Sequence, residues 1–70
     1  MSKEPVRKRR RGAELETALL DAAWDELIAM GFEELTYEAV AARAGTSRAV
    51  LYRRWPTKRE LVLAALSRKA

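Results

Sequence analysis

The sequence contains no cysteine and no histidine among its 70 residues. Their absence excludes disulfides, cysteine or histidine zinc sites, thiol nucleophiles and Ser/His/Asp triads, and with them most enzyme chemistries. A membrane-spanning helix needs about 20 consecutive apolar residues, and no apolar run in the chain approaches that length. The basic start of the chain is not followed by the apolar core of a signal peptide. We therefore predict a non-enzymatic, soluble, intracellular domain that requires neither a cofactor nor a metal.

Acidic residues are missing from the second half of the chain over a long stretch. Residues 39–59 hold six bases and no acid, whereas residues 12–42 hold eight acids and no base. The net charge of +4 favours a polyanionic partner, either nucleic acid or an acidic membrane surface, and cannot choose between them. Sorting of charge along the chain predicts that the acids of the first half face away from that partner.

The first eleven residues form a separate segment, MSKEPVRKRRR, with five consecutive bases at 7–11. Such blocks repel themselves and lack apolar residues to bury, so we predict a disordered basic arm over 1–11. The arm is either a solubilising end or a contact to nucleic acid. In the second case Arg9, Arg10 and Arg11 are the candidate contacts, and Lys8 is not assigned.

Helical periodicity and capping residues predict the rest of the domain. Apolar residues recur every three or four positions from Leu20 to Met30, Gly31 offers a C-terminal stop, and Trp24 belongs to the apolar stripe. The hydroxyl residues Thr36, Ser47 and Thr57 each precede a short helical segment as candidate N-caps. We predict an all-α domain at 12–70, with helices at about 13–30, 37–44, 48–55 and 58–68.

The second and third helices, joined by a tight turn at Gly45, have the arrangement of a helix-turn-helix motif over residues 36–55. Steps of 100° place Arg48, Ala49, Tyr52 and Arg53 within an arc of about 140° on the third helix. This arc is either a solvated basic face or a surface that binds DNA. We favour the second interpretation because of the turn that precedes it.

The chemistry of DNA suits these residue types. Amides at the start of the third helix, with the Ser47 hydroxyl, can bind a phosphate, and Tyr52 can donate to another. Arg48 can donate two hydrogen bonds to guanine O6 and N7, and the small Ala49 lets the helix approach the bases.

The fourth predicted helix has two unusual features. Lys58 and Arg59 lie in its first turn, where positive charge opposes the helix dipole, so their placement is either chance or a sign of an anion nearby. Residues 61–66, LVLAAL, are apolar on every side of the helix. We expect another surface to cover the outer side, and interpret the chain as an amino-terminal fragment of a longer protein.

The stretches LLDAAWDELIAMGF, LTYEAVAARAGTS and LYRRWPTKREL together resemble the amino-terminal DNA-binding domain of TetR-family transcriptional regulators. The resemblance runs from about Leu19 to Leu66 and implies a three-helix helix-turn-helix bundle with a fourth, connecting helix. It makes Arg48, Ala49 and Arg53 the expected base-reading residues. It implies phosphate contacts from the following residues: Thr36, Tyr37, Thr46, Ser47, Tyr52 and Lys58.

The same resemblance implies partners for the whole regulator. These are double-stranded DNA with a palindromic operator, a second copy of the chain and a small-molecule inducer, the last two bound by a carboxy-terminal domain that this chain lacks. It also implies a bacterial cytoplasmic, nucleoid-associated repressor.

Three residues depart from the family pattern and bear on base preference. Thr46 stands where an apolar residue is usual, Ala49 where glycine is common, and Val50 where threonine is frequent; Val50 could offer a methyl surface to thymine. The alternative function is a basic membrane-surface or protein-interaction module. Its bases and apolar residues should share one long helix, but Gly45 and Pro56 divide them among separate helices.

Overall fold

A computed structural model describes residues 12–69, and over that range the chain forms four α-helices and no strand. The helices are α1, Gly12–Met30; α2, Tyr37–Ala44; α3, Arg48–Arg54; and α4, Lys58–Lys69. The all-α prediction is confirmed, with boundaries within one residue of those expected. The predicted basic arm, including Arg9, Arg10 and Arg11, lies outside the described residues.

The third helix is one residue shorter than predicted. Trp55 leaves the helical region with φ −133° and ψ 93°, although its amide still donates to the Leu51 carbonyl. The residue before a proline is sterically disfavoured in the α conformation, and Pro56 follows directly. Pro56 therefore ends α3 at Arg54.

The core takes its largest fully buried side chains from all four helices and from one loop. They are Leu19, Leu35, Val40, Leu51 and Leu61. Trp24 is half-buried and packs against this core, as predicted. Met30 does not follow the prediction: it is 52% exposed, while Leu35, which follows the turn after α1, is buried.

Two of the three predicted N-cap residues, Thr36 and Thr57, make the expected capping hydrogen bonds. The Thr36 hydroxyl accepts from the Ala39 amide at 3.1 Å, and the Thr57 hydroxyl accepts from the Glu60 amide at 3.2 Å. Gly45 adopts a left-handed φ of 74°, which a residue with a Cβ adopts only with strain. These three residues fix where α2 and α4 begin and where α2 ends.

Acidic residues of α1 bind bases from the other helices, and their orientation away from a polyanionic partner stays a prediction. Glu26 is the clearest case, because it is only 8% exposed and accepts from Arg43 Nε at 2.6 Å. A buried carboxylate needs a charged or hydrogen-bonding partner, and Arg43 on α2 supplies it. Sorting of charge along the sequence thus becomes pairing of charge in space.

The same pairing joins α1 to the ends of α3 and α4. Glu16 lies 3.5 Å from Arg54 on α3, and Asp21 lies 2.9 Å from Arg68 and 3.5 Å from Lys69 on α4. The hydrogen bond from Arg68 is the main cause that lowers the pKa of the Asp21 carboxyl. These pairs are exposed and screened, so they orient the helices more than they stabilise them.

The fourth helix buries only one of its sides in the described domain. Leu61, Val62 and Ala65 are buried, whereas Leu63 and Leu66 are 54% and 42% exposed. The predicted uncovered outer side is therefore present. Among the described residues no helix is both long and apolar enough to cross a membrane.

Candidate nucleic-acid interface

The turn between α2 and α3 is a Schellman motif built around Gly45. The Gly45 amide donates to the Ala42 carbonyl at 3.2 Å and the Thr46 amide donates to the Ala41 carbonyl at 2.9 Å. These two bonds satisfy carbonyls that the end of α2 would otherwise leave open. They set the direction in which the chain leaves α2 and enters α3.

A second contact fixes α3 against α2 at its other end. The Tyr37 side chain is buried, its hydroxyl donates to the Trp55 carbonyl, and its ring stacks on Tyr52 with centroids 4.4 Å apart. Burial is the main cause that raises the pKa of the Tyr37 phenol, with Tyr52 and Glu60 adding to it. Tyr37 thus joins the first residue of α2 to the end of α3.

These contacts change what Tyr37 can do at an interface. A phenol has one O–H donor, and the Trp55 carbonyl takes it. Phosphate oxygens only accept, so the Tyr37 hydroxyl cannot serve a phosphate while it holds Trp55. The predicted phosphate role of Tyr37 is left to its main-chain amide, and its side chain supports Tyr52.

The face of α3 predicted to meet DNA is exposed along its whole length. Arg48, Ala49, Tyr52 and Arg53 all reach solvent, with Tyr52 50% exposed. On the opposite side Leu51 is fully buried and Val50 packs against the core. Val50 is half-buried and contributes to packing, and a contact of its methyl groups with thymine stays a prediction.

The two arginines of this face differ in their partners. Arg48 Nη1 donates to Glu38 Oε2 at 2.9 Å, a bridge from the start of α3 to the first turn of α2. The Arg53 side chain makes no hydrogen bond or ion pair within the described residues. Sequence patterns did not indicate Glu38, because ten positions separate it from Arg48 and only the turn at Gly45 brings them together.

The hydroxyl residues at the helix starts are accessible, with different contacts. Thr36 uses its oxygen as an acceptor for the Ala39 amide, which leaves its O–H free to donate. Ser47 occupies the N-cap position with extended backbone, but its hydroxyl makes no capping bond, contrary to prediction. Thr46 is half-buried, and its amide already donates to Ala41.

Lys58 lies at the start of α4, and its ammonium binds the loop after α1. Its Nζ donates to the carbonyls of Phe32 at 2.8 Å and Leu35 at 3.1 Å, with Glu33 O at 3.4 Å. The same nitrogen lies 4.7 Å from the centre of the Phe32 ring. An ammonium has three donors, so these carbonyls compete directly with the predicted phosphate contact. Arg59 beside it is exposed and makes no ion pair within residues 12–69.

Comparison with protein families accounts for this arrangement of helices. Residues 19–65 match the model for bacterial regulatory proteins of the tetR family. The chain belongs to the TetR family. The TetR-type domain is the amino-terminal DNA-binding part of these transcriptional regulators, so the resemblance of the sequence to that domain is confirmed.

Curated relatives of this TetR-family chain carry matching descriptions. An uncharacterised HTH-type transcriptional regulator of Mycobacterium bovis is 54% identical over 50 residues, which cover 71% of the chain and 25% of that protein. The DNA-binding transcriptional repressor TetR of Mycobacteroides abscessus is 43% identical over 56 residues, which cover 80% of the chain and 30% of that protein. The chain thus spans less than a third of the length of these relatives. No solved structure matches it.

Proposed function

We propose that this TetR-family domain reads one half of a palindromic operator through the exposed face of α3, as the DNA-binding part of a repressor. The observation that carries the proposal is the exposure of Arg48, Ala49, Tyr52 and Arg53 along one side of α3, beside the first turn of α2. A recognition helix in the major groove reads base edges with such a side. Arg48 and Arg53 are the base-reading side chains, and Ala49 permits close approach.

The residues around this face position the domain on the phosphate backbone. Thr36 can donate its O–H while it caps α2, and Ser47 has a hydroxyl that no capping bond occupies. The Tyr52 ring is held in place by its stack on Tyr37. The Thr46 hydroxyl lies at the turn between α2 and α3. Contacts of this kind fix register and orientation without reading sequence.

The remaining parts of the proposal concern the whole regulator. The arm at residues 1–11 supplies a non-specific electrostatic contact through Arg9, Arg10 and Arg11, in the manner of arms that enter the minor groove. Dimerisation and binding of a small-molecule inducer belong to residues outside this chain. The regulator is proposed to act in the cytoplasm at the nucleoid, and without catalysis.

Substitution of Arg48 tests the reading role directly. With Arg48→Ala we expect base preference to relax at one or two positions of the selected site, at a loss of about 1–3 kcal/mol there. The site is first selected from a randomised duplex library, and affinities are then measured on all single-base variants. A loss of equal size on the selected site and on random DNA would refute base reading by Arg48.

Arg54→Ala is the matched control. Arg54 lies on the same helix and carries the same charge, but it pairs with Glu16 of α1 at 3.5 Å. Its removal should leave the preferred bases unchanged. A shift in base preference from this variant would mean that the α3 face has been assigned to the wrong side of the helix.

A further inference from the structure

The ion pair between Glu38 and Arg48 places an acid on the surface proposed to bind DNA. Glu38 Oε2 accepts from Arg48 Nη1 at 2.9 Å, and the two side chains are 73% and 61% exposed. An exposed pair of this kind contributes roughly 0–1 kcal/mol to stability. The fold therefore does not depend on Glu38.

Long-range electrostatics argue against an acid at this position. Affinity for DNA depends largely on neutralising phosphates with bases, and a carboxylate beside the recognition helix opposes that term. Glu38 should thus weaken binding to every DNA sequence unless its contact with Arg48 has a compensating effect on affinity.

The geometry of the guanidinium allows Arg48 to bind Glu38 and a guanine at the same time. Arginine has five N–H donors in a planar fork, and the bond to Glu38 occupies only Nη1. Nη1 has a second N–H, and Nη2 has two, so two parallel bonds to guanine O6 and N7 remain available. Glu38 can hold the Arg48 fork and leave its reading edge open.

We propose that Glu38 is a positioning residue that orients the Arg48 guanidinium for guanine and so raises sequence specificity. This inference rests on the proposed function. A long side chain loses rotamer freedom when it is immobilised in a complex, and a partner that restricts it beforehand reduces that loss. The gain corresponds to about two- to tenfold in operator affinity.

Replacement of Glu38 by glutamine separates the two effects, because loss of positioning and loss of negative charge should change DNA affinity in opposite directions. Removal of a negative charge alone should tighten all DNA binding. Positioning predicts that Glu38→Gln weakens binding to the selected site by about two- to tenfold, while affinity for random duplex does not fall. Asp25→Asn is the control, since Asp25 is an exposed acid of α1 with no ion pair within residues 12–69; it should not weaken binding to the site.

A double-mutant cycle with Arg48→Ala isolates the contact. In that background Glu38→Gln should have no weakening effect on the selected site, because the side chain that it orients is gone. Glu38→Asp, which keeps the charge but is one methylene shorter, should weaken the site much as glutamine does. Thermal unfolding of each variant checks that the exposed substitutions leave the fold intact.

Two outcomes would overturn the positioning role. One is a site affinity that is unchanged or tighter in Glu38→Gln, and the other is an equal loss whether Arg48 is present or absent. The proposed function fails separately, and visibly, if the unsubstituted protein enriches no sequence from the randomised library.

Discussion

Replacement of Lys58 by methionine should destabilise the domain, because the Lys58 ammonium joins the start of α4 to the loop after α1. Methionine keeps an unbranched apolar stem and removes the donors. The two shorter bonds, to Phe32 O at 2.8 Å and Leu35 O at 3.1 Å, are partly solvated, so each contributes about 1 kcal/mol rather than the larger value of a buried charged bond. Contact with the Phe32 ring adds about 0.5 kcal/mol.

The expected loss is therefore about 2.5 kcal/mol of unfolding free energy, which lowers Tm by roughly 10–20 °C in a domain of this size. Circular dichroism at 222 nm, a wavelength that reports helix, follows the thermal transition. DNA affinity is measured in parallel as a function of salt, at a temperature where the variant is folded. With carbonyls as the partners of Lys58, the slope of log affinity against log salt should stay unchanged.

The salt slope decides between this role and the phosphate contact predicted from the family resemblance. A lost phosphate contact flattens the slope by about 1 and leaves unfolding unchanged. That result for Lys58→Met would refute the anchoring role. Arg59→Gln is the neighbouring control: its exposed side chain has no ion pair within residues 12–69, so unfolding should shift by no more than about 0.5 kcal/mol.

Two further substitutions test contacts that cross between helices. Tyr37→Phe removes the bond to the Trp55 carbonyl and should cost about 1 kcal/mol of unfolding free energy. Because the pKa of the Tyr37 phenol is raised in the folded protein, the phenol stabilises the fold below about pH 10, and this contribution is lost as pH rises. Tyr37→Phe should therefore also abolish an alkaline loss of stability. Urea titrations from pH 7 to 11 check this, and an alkaline transition that persists in Tyr37→Phe would assign it to another group. Arg43→Ala leaves the buried Glu26 carboxylate without its arginine and should cost about 2 kcal/mol, below the value for a fully buried pair because Arg43 is 46% exposed. Glu26→Gln in the same chain should recover part of that loss, and no recovery would contradict the buried-charge explanation.

Features that depend on neighbouring residues in the chain could be predicted from the sequence. Thr36 and Gly45 show why: a hydroxyl three residues before an amide, and a residue at positive φ, act within one turn of backbone. Steps of 100° place Arg48, Ala49, Tyr52 and Arg53 on one arc of α3, and that arc is exposed. Secondary structure and the exposed face of the recognition helix follow from such local rules.

Side-chain partners between helices could not be predicted in the same way. Glu26, Tyr37 and Lys58 each bind an atom at least 17 positions away. From the sequence, the family resemblance implies phosphate contacts for Tyr37 and Lys58, and no pattern indicates the partner of Glu26. Periodicity reports which side of a helix is apolar, but not which residue of a neighbouring helix lies opposite. Polar residues that the fold uses internally therefore look like binding residues in the sequence.

The net positive charge of the chain lies in residues 1–11 and not in the helices. Residues 12–69 contain eight bases and nine acids, while residues 1–11 contain six bases and one acid, so the net charge of +4 arises in the first eleven residues. Five of the eight bases in this range pair with acids of α1 or α2. Lys58 binds main-chain carbonyls instead, and Arg53 and Arg59 make no ion pair within the described range. Attraction to any polyanion thus belongs mainly to the arm. Under the proposed function, recognition by the helices depends on the placement of a few side chains on α3, which net charge cannot reveal.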